Sequence, residues 1–111
     1  MKIKDLVSQL DLNVLAGHSG LENEVTGAYV SDLLSDVMGN ILEGQVWITL
    51  QTHLNVIAIA SLRDVAGLIL IQRFEPEPDM LKKADEEGIP VLTTGLTTFE
   101  ISGKLYRILY P

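Results

Sequence analysis

Three places in this 111-residue chain put polar side chains directly behind short apolar runs, and their chemistry suits an anion. Gln51, Thr52, His53 and Asn55 follow the run at 45–50, and Gln72 and Arg73 follow the run at 67–71. Thr93 and Thr94 close the run that begins at Pro90, with Thr97 and Thr98 just beyond. Arg73 is the one strong anion ligand among these ten candidates, because its guanidinium is always charged and offers a fork of N–H donors. Hydroxyls, amides and the free N–H groups of a helix start would complete such a site. A plainer role stands beside each. Thr52 or His53 would serve as the cap of the helix that follows, and every parallel sheet ends in polar loops.

Other chemistries are carried more thinly. His18 and His53 are the only histidines, and a zinc site needs further N, S or carboxylate ligands. Glu22, Glu24, Asp32 and Asp36 could hold a hard cation, but no EF-hand spacing is present and solvated surface carboxylates account for them. If Asp32 and Asp36 share a helix face at i, i+4, they form a candidate acid–base pair for a small enzyme. A phosphate-cradling loop needs Gly, four residues, then Gly-Lys-Ser/Thr. The sole Gly-Lys pair, Gly103-Lys104, is followed by Leu105, has Thr98 in place of the first glycine, and lies in a helical pattern. No kinase activity is expected from it. The chain has no cysteine, so thiolate chemistry and disulfides are excluded. A formal charge of −7, with eight scattered basic residues, argues against a nucleic-acid partner. No run approaches membrane-spanning length and the N-terminus lacks a signal-peptide pattern, so a cytoplasmic protein is expected.

The elements that must position these residues follow from periodicity. Residues 45–50, 67–71 and 90–94 are short Val/Ile/Leu-rich runs without alternation, which suits strands buried on both faces of a parallel sheet. Each is followed by a helical pattern, and ligands in such sheets bind outside the carboxyl ends of the strands. Ile3, Leu6, Val7 and Leu10 make an amphipathic first helix, and 12–16 and 25–30 read as short strands around a Gly17-His18-Ser19-Gly20 turn. Residues 31–39 read as a short helix with Ser31 as N-cap and Gly39 as its stop. Pro78, Asp79 and Gly88 punctuate a later helix. Thr97 with Glu100 forms a capping box, with Leu96 and Ile101 as its staple, and Trp47 is expected in the core. The helix from about 54 to 63 is apolar nearly all round through Leu54, Val56, Ile57, Ala58, Ile59, Ala60 and Leu62. In a domain this small it predicts an oligomer interface, a homodimer through Leu54–Leu62.

The segments Asp32-Leu33-Leu34-Ser35-Asp36-Val37-Met38 and Val46-Trp47-Ile48-Thr49 resemble a DRTGG domain. Lys83-Ala84-Asp85-Glu86-Glu87-Gly88-Ile89-Pro90-Val91-Leu92-Thr93-Thr94, with Thr97-Thr98-Phe99 behind it, is similar as well. The resemblance covers roughly residues 1 to 110. It implies a fold like the N-terminal domain of HPr kinase, and a regulatory or oligomerising module such as those in phosphotransacetylases and in pyrophosphatases that carry CBS domains. Small stand-alone relatives bear a kinase label and are encoded beside iron-only hydrogenases, which implies a protein partner in a redox enzyme complex. Where the family's naming motif would fall, this chain has Leu50-Gln51-Thr52-His53-Leu54-Asn55, so no role passes from that motif to these residues.

The expectation is a single α/β domain over 1–111, with a mixed, mostly parallel sheet of about five strands flanked by helices. Its expected role is a non-catalytic regulatory module that self-associates and binds a small anionic metabolite at the strand ends, with an adenine nucleotide suggested by the family's company. No cofactor or metal site is expected. A ligand-free interaction or assembly subunit, and a small enzyme built on the helix carboxylates, are the alternatives.

Overall fold

Strand alternation and helix periodicity sort the apolar residues onto two faces of one sheet in the computed structural model, which describes residues 1–111. The strands are β1 (Asn13–Ala16), β2 (Gly27–Val30), β3 (Gln45–Thr49), β4 (Gly67–Leu70) and β5 (Val91–Thr93). Their order is β1-β5-β4-β3-β2, with β1 antiparallel to β5 and every other pair parallel. The helices are α1 (Ile3–Leu10), α2 (Leu34–Asn40), α3 (Asn55–Leu62), α4 (Pro78–Glu87) and α5 (Thr98–Leu109), and a 3-10 turn spans His18–Gly20. The mixed, mostly parallel five-stranded sheet expected from the sequence is the one observed.

Successive side chains of a strand point to opposite faces. Trp47, Leu68, Leu70 and Val91 therefore pack beneath α2, α3 and α4, against Val37, Val56, Ile57, Ala60, Met80 and Ala84. Val46, Ile48, Ile69 and Leu92 face α1 and α5, against Ile3, Leu6, Leu10, Ile101 and Leu105. Each fully buried aliphatic side chain contributes about 1.5–3 kcal/mol, so these three layers carry the stability of the fold. The Trp47 indole N–H donates to the Ser31 carbonyl at 2.8 Å, which satisfies its only donor inside that core.

Helix punctuation departs from expectation in α2. Ser31 is not its N-cap: the hydroxyl accepts from the Leu33 N–H at 3.2 Å in the turn before the helix, and Leu33 occupies the cap position. Gly39 does not stop it either. The helix runs on to Asn40, whose side chain donates back to the Asp36 carbonyl at 3.0 Å, and ends where Ile41 turns into the core. Helix α4 has proline in its first turn and a left-handed Gly88 at its end, and α5 carries the reciprocal Thr97–Glu100 box, all as the sequence predicts. Helix α3 is not wrapped on all sides. Val56, Ile57 and Ala60 are buried in the chain's own core, while Leu54, Ala58 and Leu62 lie at i, i+4 and i+8 on the outward face.

Candidate functional site

The carboxyl ends of the parallel strands form one edge of the sheet, and that edge divides into two halves with different chemistry. The first half lies behind β2 and β3. Asp32, just past β2, accepts from the Thr49 hydroxyl at 2.8 Å and from the Leu50 N–H at 2.9 Å. The Gln51 side chain donates to the Asp32 carbonyl at 2.8 Å. The Thr49 and Leu50 donors here already hold a carboxylate of the chain itself, and the Gln51 amide holds a main-chain carbonyl. His53 Nδ1 accepts from the Asn55 N–H at 3.1 Å, the capping role, and its Nε2 lies 4.0 Å from the Glu77 carboxylate. The Thr52 carbonyl accepts from the Glu77 N–H at 3.0 Å, and Asn55 is exposed in the first turn of α3.

The second half lies behind β4 and β5. Gln72 and Arg73 both adopt left-handed backbone, at φ 49° and 55°. Their N–H groups donate across to the Leu96 and Thr94 carbonyls at 2.9 Å each, which folds the end of β4 over the loop after β5. This turn lays the Arg73 side chain over Gly95, where an added Cβ would stand 3.0 Å from Nε. The guanidinium has no carboxylate within ion-pair distance. An unpaired guanidinium fork at a strand edge has the chemistry to take an anion.

Arg73 lines two cavities. One, of about 400 Å³, is walled by Leu15, Phe74, Pro76 and Leu81 with Asn13, Glu75 and Thr93. The other, of about 370 Å³, is walled by Gln9, Asp11, Thr94, Gly95 and Lys104 with Leu10 and Leu96. Both lie in the range of small-molecule sites. A register shift in the β1–β5 pairing between Val14 and Ala16 leaves Leu15 out of the ladder and on the wall of the first cavity.

Of the ten residues expected from the sequence, the structure brings Arg73, Thr93 and Thr94 together here. Gln51, Thr52, His53, Asn55, Gln72, Thr97 and Thr98 line neither cavity. Thr97 caps α5, its hydroxyl accepting from the Glu100 N–H at 3.3 Å and donating to the Glu100 carboxylate at 2.9 Å, and Thr98 opens the helix. Sequence reasoning missed Lys104, Phe74, Leu15 and Leu81. The β4-to-α4 loop after Arg73 signals Phe74, but Leu15 and Lys104 arrive only through tertiary packing.

The remaining constellations separate. Asp32 precedes α2 and so shares no helix face with Asp36, which overturns the i, i+4 geometry expected for an acid–base pair. Both Asp36 oxygens lie 2.9 Å from the Tyr29 hydroxyl, and that donor, with Ser31 and Asn40, holds the carboxyl below its ordinary range. Lowering favours the charged form, the opposite of what a general acid needs. His18 sits in the 3-10 turn beside β1 and His53 before α3. No cluster of three His, Asp or Glu side chains is placed to hold a metal ion. Gly103-Lys104 lies inside α5, and no helix is long and apolar enough to cross a membrane.

With this geometry in place, the chain can be set beside known proteins. It superposes on the crystal structure of the CBS and DRTGG domains of the regulatory region of Clostridium perfringens pyrophosphatase, complexed with its activator diadenosine tetraphosphate. The TM-score is 0.73 at 17% identity, over 94% of this chain and 45% of that one, so the chain spans less than half of that neighbour. Nothing among curated proteins matches. The family model of the DRTGG domain matches residues 5–108, and the chain belongs to the DRTGG domain family.

Proposed function

We propose that this chain is a non-catalytic regulatory module that binds a small anionic metabolite at the β4–β5 edge, with Arg73 as its anchor. The carrying observation is the Arg73 guanidinium, unpaired within the chain and shared by two cavities of ligand size. The regulatory setting has support from the pyrophosphatase neighbour, described as a regulatory region in complex with a nucleotide activator. An adenine nucleotide is accordingly the first ligand to try. The non-catalytic reading rests on the engagement of Asp32 and Asp36 in structural hydrogen bonds and on the placement of Gly103-Lys104 within a helix. Ligand binding would act by linkage, shifting an oligomer or partner equilibrium by the difference in affinity between its two states.

Self-association is proposed through the outward stripe of α3, where Leu62 is 67% exposed and Leu54 37%. The same stripe favours a second reading, a ligand-free interaction subunit for a redox enzyme complex. Thermal unfolding against nucleotides and phosphometabolites, with and without magnesium, separates the two. A ligand at a hundred times its dissociation constant stabilises by about 2.7 kcal/mol. A shift from one compound that is lost in Arg73→Ala supports the sensor. A flat panel supports the interaction subunit.

A further inference from the structure

The two cavities at Arg73 differ in a way that assigns parts of a ligand to each. Thr93 lines one and Thr94 the other. As consecutive residues of an extended segment they point to opposite faces of the sheet, so the cavities flank the end of β5 with Arg73 between them. The cavity bearing Leu15, Phe74, Pro76 and Leu81 is mostly apolar, with Glu75 as its carboxylate. The cavity on the far side is polar and adds Lys104 to Arg73, against the single carboxylate of Asp11. An anionic group is favoured where two cations meet one acid. A flat apolar body is favoured against Phe74 and the aliphatic walls.

We infer that the two cavities form one bipartite site for an elongated ligand, a ring-bearing diphosphate or longer phosphate ester. Its ring sits beside Phe74 and its phosphates cross over Arg73 toward Lys104. Gly95 permits the crossing, since a Cβ there would stand 3.0 Å from Arg73 Nε and crowd the guanidinium that bridges the two halves. A diphosphate offers a phosphate to each cation where a monophosphate offers one to both, and an inorganic phosphate chain has no ring for the apolar half. Acceptor atoms of Glu75 and Asn13 would meet ring N–H or sugar hydroxyl donors. This inference rests on the anion site proposed at Arg73.

The test is calorimetric titration of the intact protein with adenosine 5′-diphosphate, adenosine 5′-monophosphate, inorganic pyrophosphate and adenosine. Phe74→Ala and Lys104→Ala are titrated alongside; both side chains lie at the surface, so neither change threatens the fold. The diphosphate is expected to bind tightest. Phe74→Ala should weaken it by about tenfold or more, the scale of losing a ring stack, while leaving pyrophosphate binding unchanged. Lys104→Ala should remove the advantage of the diphosphate over the monophosphate. If pyrophosphate binds as well as the nucleotide and Phe74→Ala changes neither, the bipartite ligand is wrong while the anion site stands. If neither pyrophosphate nor any phosphate ester binds, the anion site itself is wrong and the inference falls with it.

Discussion

The Asp32 carboxylate lies 2.8 Å from the Thr49 hydroxyl and ties the end of edge strand β2 to the end of β3. Thr49 is 1% exposed, so this hydroxyl has no water to turn to when its acceptor is removed. The same carboxylate holds the Leu50 N–H, and with it the first residue of the loop that leads to α3. An internal anion thus fills one of the two halves of the strand edge where the sequence suggests a ligand. The half at Arg73 is the one proposed for an external ligand.

Removing that anion has a calculable cost. Asp32→Ala leaves a buried hydroxyl and a backbone N–H without their acceptor, a loss of about 1–3 kcal/mol. In a domain of this size that lowers the thermal midpoint by roughly 4–8 °C per kcal/mol. Asp32→Asn keeps a carbonyl acceptor and is expected to lose less. Thermal unfolding followed by circular dichroism checks both.

Acid should weaken the fold through the carboxylates that hold partners at its surface. Glu22 bridges Lys2 at 2.8 Å and Lys4 at 2.9 Å, and those hydrogen bonds, Lys2 first, pull its pKa from 4.5 to about 2. Asp36 is lowered as well, chiefly by the Tyr29 hydroxyl. A carboxylate with a depressed folded pKa contributes stability above its unfolded value and loses it as pH falls through the folded one. The Glu22 contribution is therefore complete above about 4.5 and gone near 2. Glu22→Gln should flatten this part of the stability–pH curve. Added salt should weaken the contribution at neutral pH, because the pair is exposed.

Helix α3 supplies a pair of substitutions with opposite meanings. Ile57 is fully buried in the core beneath the sheet, so Ile57→Ala should cost about 2–5 kcal/mol and Ile57→Asp should abolish folding. Leu62 lies outward on the same helix, and Leu62→Asp should leave the unfolding free energy within about 0.5 kcal/mol of the parent. If the α3 stripe mediates self-association, the Leu62 variant sediments as a monomer where the parent does not. Identical sedimentation of the two would place any interface elsewhere.

Gly17 gives the sharpest backbone prediction. Its φ is 73°, a Cβ would stand 1.9 Å from the Ile89 carbonyl oxygen, and its N–H donates to the Asp85 carboxylate at 2.7 Å. Any side chain must push apart the turn after β1 and the start of β5. Gly17→Ala should therefore cost at least about 2–3 kcal/mol in denaturant unfolding. Gly39→Ala, with open space around its Cβ position and a helical backbone in the last turn of α2, should be neutral to stabilising by at most about 1 kcal/mol.

Much of this architecture is legible in the chain because it is local. The runs at 45–50, 67–71 and 90–94 announce buried strands, and Pro78, Gly88 and the Thr97–Glu100 box mark helix ends where they stand. That Arg73, Thr93 and Thr94 share one edge of the sheet follows by the same logic, since strand ends are readable. What escapes is long-range. Asp32 reaches Thr49 across 17 residues, and no local pattern distinguishes that carboxylate from a solvated one. Leu15 joins the cavity because β1 adds antiparallel to β5 with a register shift, a pairing of segments about 77 residues apart that only the assembled sheet reveals. The apolar α3 divides only in the assembled fold: Val56, Ile57 and Ala60 turn inward, and Leu54, Ala58 and Leu62 are left for the surface.

The proposed site places an anion behind β4 and β5 and not behind β3. Mapping backbone amide shifts in a nitrogen-15 correlation spectrum during titration with adenosine 5′-diphosphate tests it most directly, with Arg73→Ala as the control. Shifts centred on Arg73, Thr94, Gly95 and Leu96, absent in the Arg73 variant, are the predicted result. Shifts centred on Leu50, Gln51 and Asn55 instead, or shifts that persist unchanged in Arg73→Ala, would rule out an anion site at Arg73.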